Sequence, residues 1–176
     1  MNMPGGGASK GILIAVVCLL LLGTACSSKC EKKKFIRAHQ AAMAVERAIV
    51  ARMGYQEFGA VLQSMSNEVK ALEITVRSEE ERSLLRDYEN LLAMYREGRL
   101  LEKYRIEFAR YGFVPRGLIY VGQDVEPIAI KYRIPMEPHV YEPTGQAWKS
   151  IPEDSINIVW GNARSQLKII DNILNY

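Results

Sequence analysis

The chain has 176 residues, of which 48% are hydrophobic and 24% are charged, a composition typical of a globular protein with one domain. Its 23 basic residues nearly balance its 20 acidic ones, which argues against the concentrated basic surface that nucleic-acid binding requires. The three cysteines, Cys18, Cys26 and Cys30, all lie near the amino terminus, and this excludes a fold held together by disulfides.

An apolar run lies near the amino terminus. Residues 12–22 (ILIAVVCLLLL) follow a Gly-rich segment with a single lysine and precede small residues and the polar sequence SSKCEKKK. As a helix, residues 11–26 would span about 24 Å, which is less than the hydrocarbon core of about 30 Å in a typical bilayer. A short apolar core between a positive segment and small residues is typical of a secretory signal peptide.

The end of this run resembles the signal of bacterial lipoproteins. In that family a leucine-rich core leads to a short box of small residues that ends in cysteine, and this cysteine becomes the lipid-modified first residue of the mature protein. Thr24, Ala25 and Cys26 match the last three positions of the box, whereas Gly23 stands where leucine is usual. The resemblance implies a signal peptide over 1–25 and lipid on Cys26. An uncleaved signal anchor and ordinary secretion are the alternatives.

The resemblance also implies a location. A lipid on Cys26 would hold the protein to a membrane of the cell envelope, facing the periplasm, and Ser27 in place of aspartate favours the outer membrane. Residues 26–34 would form a polar, basic tether, whose lysines either attract an anionic membrane surface or simply begin a solvated helix. Cys30 would be left as a thiol that either stays free or links two copies of the chain.

Three amphipathic helices are predicted after the tether, at about 30–53, 56–77 and 79–111. Apolar residues recur at every third or fourth position in each of them. Gly54 is predicted to cap the end of the first helix, and Ser78-Glu-Glu-Glu81 is a capping box that begins the third. Gly98 falls on the apolar stripe of the third helix, where the lack of a side chain would let a neighbouring backbone approach.

Residues 112–150 differ in composition, since they contain five of the seven prolines. Alternating apolar residues over 128–134 predict a strand, which is expected to form a β-hairpin with residues 118–121. The sequence Ser150-Ile-Pro-Glu153 resembles a second capping box and predicts a last helix at about 152–174.

The predicted fold is a mainly α protein with a single helical domain over 35–176. It is expected to form a four-helix bundle with a Pro-rich, partly β-hairpin insertion between helices three and four. Several elements resemble a class of small exported bacterial helical proteins without an assigned function. The resemblance rests on the insertion, on Gly54-Tyr55-x-x-Phe58 at a helix start, and on Ile156-x-x-x-Trp160-x-x-Ala163 in the last helix. It implies a fold and a compartment, and no activity.

The sequence shows no arrangement of residues that demands catalysis or a cofactor. The Glu-x-x-His pairs of di-iron bundles, the nucleophile elbow and the phosphate-binding loop are absent from it. His39 is predicted to lie at the edge of an apolar helix stripe, and His139 lies in the Pro-rich segment with too few further ligands for a metal site. No catalytic residue, metal or cofactor is therefore predicted.

Aromatic residues supply the two functional hypotheses. In the insertion they form a candidate interaction surface for an envelope protein partner, made of Tyr120, Tyr132, His139, Tyr141 and Trp148. In the third helix, four tyrosines at helical spacing either belong to the core or line a cavity: Tyr88, Tyr95, Tyr104 and Tyr111. The first hypothesis is a non-enzymatic protein-binding or assembly module, and the alternative is a carrier of a small apolar ligand or lipid.

Overall fold

The computed structural model describes residues 30–110 and 114–175. The predicted signal peptide, Cys26 and the first residues of the tether lie outside the described residues, and so does Tyr111. Over the described residues the protein is mainly helical and carries a small antiparallel sheet. The prediction of a mainly α fold is confirmed.

Five α-helices and three strands make up the described part of the chain. In chain order they are α1 (Ile36–Val50), α2 (Tyr55–Thr75), α3 (Glu79–Phe108), β1 (Leu118–Tyr120), α4 (Glu126–Lys131), β2 (Glu137–Tyr141), β3 (Gln146–Pro152) and α5 (Ile156–Leu174). Short 3-10 helices precede α1 and α5, at Lys32–Phe35 and Glu153–Ser155. The four long helices lie where the sequence predicts them, with bounds that differ by a few residues.

The long helices are held by the predicted apolar stripes and by one predicted cap. The buried residues of α2 follow the three-and-four spacing: Phe58, Leu62, Met65, Val69 and Leu72. At the start of α3, the Glu81 backbone N–H donates to the Ser78 hydroxyl at 3.1 Å, and the Glu81 carboxylate accepts from the Ser78 N–H at 3.4 Å. The capping box is therefore confirmed. The 30 residues of α3 span about 45 Å at 1.5 Å per residue.

The turn between α1 and α2 differs from the prediction. The residue in the left-handed conformation is Arg52, with φ of 50°, whereas Gly54 has φ of −57° and begins α2. The Met53 N–H donates to the Ala48 carbonyl and the Arg52 N–H to the Ile49 carbonyl, both at 3.0 Å. These are the two bonds of a Schellman motif, in which the left-handed position is usually a glycine.

The predicted β-hairpin is wrong in one of its strands. Residues 126–131 form the helix α4, with Pro127 in the first turn, where a missing N–H is harmless. Ile128 and Ala129 are buried while Ile130 is 64% exposed, so the apolar residues follow a helical turn and not the alternation of a strand. β1 pairs instead with β3, which also pairs with β2, and both pairings are antiparallel, in the order β1-β3-β2.

The second predicted capping box is also wrong. Ser150 lies in β3 opposite both Tyr120 and Glu137, and its buried hydroxyl is 2.7 Å from the His139 Nε2 atom. Strand pairing across the sheet therefore prevails over the local helix signal, and β3 continues to Pro152 before the chain turns into the 3-10 helix and α5. No side chain caps the start of α5.

The packed helices form a body with two ends, which we call proximal and distal. Short turns join α1 to α2 and α2 to α3, and α5 runs antiparallel to α3, since Glu153 contacts Arg105 and Gln166 contacts Asp87. The proximal end, which holds Cys30, consists of residues 30–35, 76–81 and 171–175. The distal end consists of residues 48–58, 102–108 and 153–160 together with the sheet.

Candidate functional site

An open cleft of about 960 Å³ lies at the distal end. Its walls come from the end of α1, the start of α2, residues 102–106 of α3, the turn at Gly117, the 3-10 helix at 153–155 and the start of α5. A pocket of this size can hold a small molecule or the side chains of a protein segment. Because its walls are far apart in the sequence, no local pattern predicted it.

Aromatic and aliphatic side chains form one wall of the cleft. The rings of Phe58 and Trp160 meet edge to face, with centroids 5.8 Å apart and planes at 67°. Both side chains are largely buried, whereas Met53 and Ile106 are 39% and 38% exposed. The cleft therefore offers apolar surface to an incoming group and a rigid aromatic pair beneath it.

Gly98 positions Trp160. A Cβ atom built on Gly98 would lie 2.3 Å from two carbons of the Trp160 indole, which is well inside van der Waals contact. The sequence correctly places Gly98 on the buried face of α3. The group that approaches it is an indole ring and not a neighbouring backbone, and this contact fixes the floor of the cleft.

Charged side chains form the other wall. The Arg105 guanidinium donates through Nε to Glu102 and through Nη1 to Glu153, both at 2.8 Å. Partial burial lowers the pKa of Arg105, but the hydrogen bonds to these two carboxylates outweigh it and raise the pKa above its usual value. The three groups form a bridge from α3 to the 3-10 helix before α5, and two further charged residues, Arg52 and Asp154, also line the cleft.

A row of stacked rings joins α3 to the sheet beside the cleft. The centroids are 5.3 Å apart for Tyr104 and Phe108, 4.7 Å for Phe108 and Tyr120, 6.0 Å for Tyr120 and Trp148, and 4.3 Å for Trp148 and His139. We call these five rings the aromatic ladder. Each inner ring has a neighbour on both sides, so the ladder packs the sheet onto α3 and leaves little ring face for a ligand.

The structure brings together four of the five residues predicted as an interaction surface. Alternation along the paired strands places Tyr120, His139, Tyr141 and Trp148 on one face of the sheet. Tyr141 is 41% exposed and lies beyond the ladder, at the end of β2 near the turn to β3. Tyr132 lies elsewhere, and its hydroxyl donates to Glu97 on α3 at 2.6 Å. Burial and that carboxylate raise the pKa of Tyr132 above its usual range.

The two central tyrosines of α3 belong to the core. Tyr88 and Tyr95 are fully buried, and neither lines the distal cleft. The Tyr95 hydroxyl donates to the Glu46 carboxylate at 2.9 Å, and Arg164 Nε donates to the same carboxylate at 3.1 Å. Burial first, and then the Glu46 charge, raise the pKa of Tyr95 far above its usual value. This contact ties α3 to α1 and α5.

The predicted histidines have protein partners in the structure. His39 lies with Nδ1 3.3 Å from the Tyr88 hydroxyl and Nε2 3.5 Å from the Asp171 carboxylate. His139 contacts Ser150 and stacks on Trp148. Within residues 30–110 and 114–175, no group of three or more His, Cys, Asp or Glu side chains is placed to hold a metal ion.

The Glu81 carboxylate organises the proximal end. It accepts hydrogen bonds from the N–H groups of Arg77 at 2.7 Å, Glu31 at 3.1 Å and Ser78 at 3.4 Å, and from Lys34 Nζ at 2.9 Å. Burial raises the pKa of Glu81, but these four donors outweigh it and lower the pKa to about 2. The last residues of the predicted tether, 30–34, are thus held against the turn between α2 and α3.

Cys30 lies beside this carboxylate, half-buried and without a disulfide to any described residue. Burial and the charge of Glu81 raise the pKa of its thiol, which lowers the fraction of reactive thiolate. No described helix is both long enough and apolar enough to cross a membrane.

Comparison of the chain with protein-family models, with curated proteins and with solved structures finds no match in any of the three.

Proposed function

We propose that the protein is a lipoprotein of a bacterial cell envelope that binds another envelope protein through its distal end and catalyses no reaction. The observation that carries the proposal is the position of the open cleft, at the opposite end of the helical body from Cys30. A lipid on Cys26 would place the proximal end at the membrane, and the cleft would face away from it.

The dimensions support this orientation. Three residues separate Cys26 from Cys30, so the four Cα–Cα steps between them extend at most about 14 Å. The length of α3, about 45 Å, then separates the membrane-facing end from the distal end. We further infer that α1, α2, α3 and α5 form a four-helix bundle, which would make the body a rigid spacer between lipid and partner.

The shape of the cleft favours protein binding over carriage of an apolar ligand. A carrier needs an enclosed apolar cavity, whereas this cleft is open and has charged residues on one wall. Two of the four tyrosines that would have lined an internal cavity, Tyr88 and Tyr95, are buried with bonded hydroxyls. The ladder also holds the sheet in a fixed position, as a docking surface requires.

Site-specific photocrosslinking in the native envelope tests the proposal. A photoreactive residue would replace Val140 in β2, which is 63% exposed at the distal end, and, as the matched control, Ile74 near the proximal end, which is 74% exposed. We expect one discrete protein adduct at position 140 that is absent at position 74. Identical adducts from both positions, or none at position 140, would contradict protein binding at this end.

The anchor is tested separately by mass spectrometry of the mature protein. We expect the amino-terminal peptide to begin at Cys26 and to carry the added mass of acyl chains. A Cys26→Ser chain should lose this mass and leave the membrane fraction. An intact Met1, or an unmodified terminus, would overturn the lipoprotein assignment without bearing on the partner.

A further inference from the structure

Two charged residues of the cleft differ from the rest. Glu102 and Glu153 both pair with Arg105, whereas Arg52 and Asp154 form no ion pair with any residue in the described ranges. Both of these side chains are exposed. The cleft therefore presents one exposed cation and one exposed anion without an ion-pair partner among the described residues, beside a wall of Phe58, Trp160 and their aliphatic neighbours.

We propose that the cleft receives a polypeptide segment of the partner that carries an apolar side chain between an acidic and a basic residue. The apolar side chain would lie against Phe58 and Trp160, the acidic group would pair with Arg52, and the basic group would pair with Asp154. The inference rests on the proposed function, since it gives the chemistry by which the distal end recognises its partner.

Charge complementarity favours this occupant over a simple anion. The charged residues that line the cleft are two arginines and three carboxylates, with a net charge of −1. A fatty acid or another single anion would pair with Arg52 and meet repulsion from Asp154 and Glu153. In a segment with both charges the basic group offsets this repulsion, and the apolar side chain gains from removal of the exposed parts of Met53 and Ile106 from water.

The left-handed conformation of Arg52 provides a variant that leaves the fold intact. Glycine is the residue that this backbone position favours, so Arg52→Gly removes the guanidinium without straining the turn. Arg52→Lys keeps the positive charge, and Asp154→Asn removes the negative one. None of these residues contributes to the buried core.

The experiment uses the full chain in lipid nanodiscs, labelled with 15N-tryptophan. The chain has two tryptophans: Trp160 lies in the cleft and reports binding, and Trp148 lies in the ladder and serves as the internal control. The probes are the capped peptides acetyl-Lys-Leu-Asp-amide and acetyl-Asp-Leu-Lys-amide. We expect a saturable shift of the Trp160 indole N–H signal with at least one of them, while the Trp148 signal stays unchanged.

Variants of the peptide and of the protein are expected to change the binding affinity by different amounts. Replacing leucine by alanine in the peptide should weaken binding about tenfold, because the apolar contact is lost. Arg52→Gly and Asp154→Asn should each weaken it about two- to fivefold, as for exposed ion pairs, and Arg52→Lys should keep most of the affinity.

Three outcomes would overturn the inference. They are equal affinity for the leucine and alanine peptides, equal shifts of both indoles, and no saturable shift up to about 10 mM. If an adduct at position 140 persists in such a case, the cleft proposal alone fails. If that adduct is absent as well, the proposed function fails with it.

Discussion

The proximal and distal ends are built on different principles. At the proximal end, one carboxylate, Glu81, is 2% exposed and receives four donors, so its charge is satisfied within the chain. At the distal end, close aromatic packing and the ion pairs of Arg105 supply the framework, and the charges of Arg52 and Asp154 are exposed without an ion-pair partner among the described residues. The first arrangement holds an end together, whereas the second keeps a surface available.

The difference also explains why the cleft can stay open. Trp160 packs into the space left by Gly98, and Arg105 bridges Glu102 and Glu153, so the walls are fixed without filling the space between them. A cleft with fixed walls loses less entropy on binding than one that must first be ordered. The following substitutions test whether packing and charge divide between the two ends in this way.

The largest effect on the free energy of unfolding is expected from Gly98→Ala, which disrupts the packing of the distal end. The added methyl group would overlap the Trp160 indole, and a rigid ring has no easy way to move aside. We expect the free energy of unfolding to fall by about 2–3 kcal/mol, measured by urea denaturation.

The matched control for this variant is Gly161→Ala on α5, where an added Cβ meets nothing within 4 Å. This change should stabilise the protein by about 0.5–1 kcal/mol, because alanine loses less backbone entropy in a helix than glycine. Equal effects of the two substitutions would show that Gly98 is not needed for the contact with Trp160.

Glu81→Gln should have the next largest effect on the free energy of unfolding, and it tests the proximal end. The amide keeps the shape of the side chain but removes the charge and turns an N–H₂ group toward donors. We expect a loss of about 2 kcal/mol in unfolding free energy at neutral pH. Glu80→Gln, at the neighbouring exposed position, should change stability by less than about 0.5 kcal/mol.

The dependence on pH sharpens this prediction. The pKa of Glu81 is about 2 in the folded protein and about 4.5 when unperturbed, so its contribution is complete above pH 4.5 and is lost as the pH falls toward 2. The stability difference between the wild type and Glu81→Gln should therefore shrink over this range. The Gly98→Ala difference should stay constant, and a parallel loss in both variants would contradict the division between charge and packing.

The proximal end was also the part that the sequence predicted best. Ser78 and Glu81 are three residues apart, and a capping box depends only on that spacing. The apolar stripes of the long helices likewise depend only on residues that lie close together in the sequence. What the sequence could not indicate is that Lys34 and the Glu31 backbone, nearly fifty residues earlier, reach the same carboxylate.

At the distal end, local signals pointed the wrong way in three places. Gly54 was expected to cap α1, whereas Arg52 takes the left-handed position there. Residues 128–134 alternate like a strand, whereas 126–131 form α4. Ser150 was expected to cap a helix, whereas it pairs in the sheet. In the sheet, β3 pairs with β1 thirty residues away, and such contacts override weak local preferences. The cleft depends on these same long-range contacts, so its residues could not be predicted together.

A smaller effect is expected from Tyr95→Phe, which tests the core between the two ends. The change removes the hydroxyl that donates to Glu46 and leaves that carboxylate to Arg164 alone. We expect a loss of about 1–1.5 kcal/mol in unfolding free energy. Tyr55→Phe is the control, because the Tyr55 hydroxyl forms no hydrogen bond within the described residues, and equal losses from the two changes would contradict the role of Glu46.

The smallest effect on the free energy of unfolding is expected from Arg52→Gly. Here the direction of the change is more informative than its size. Relief of the left-handed backbone favours glycine by about 1–2 kcal/mol, while the greater freedom of glycine in the unfolded chain offsets about 0.5–1 kcal/mol of that gain. We expect thermal unfolding to show a free energy of unfolding that is unchanged or raised by up to about 1.5 kcal/mol. A loss of stability would show that the Arg52 side chain supports the fold, and its charge would then not be available to a partner as the cleft proposal requires.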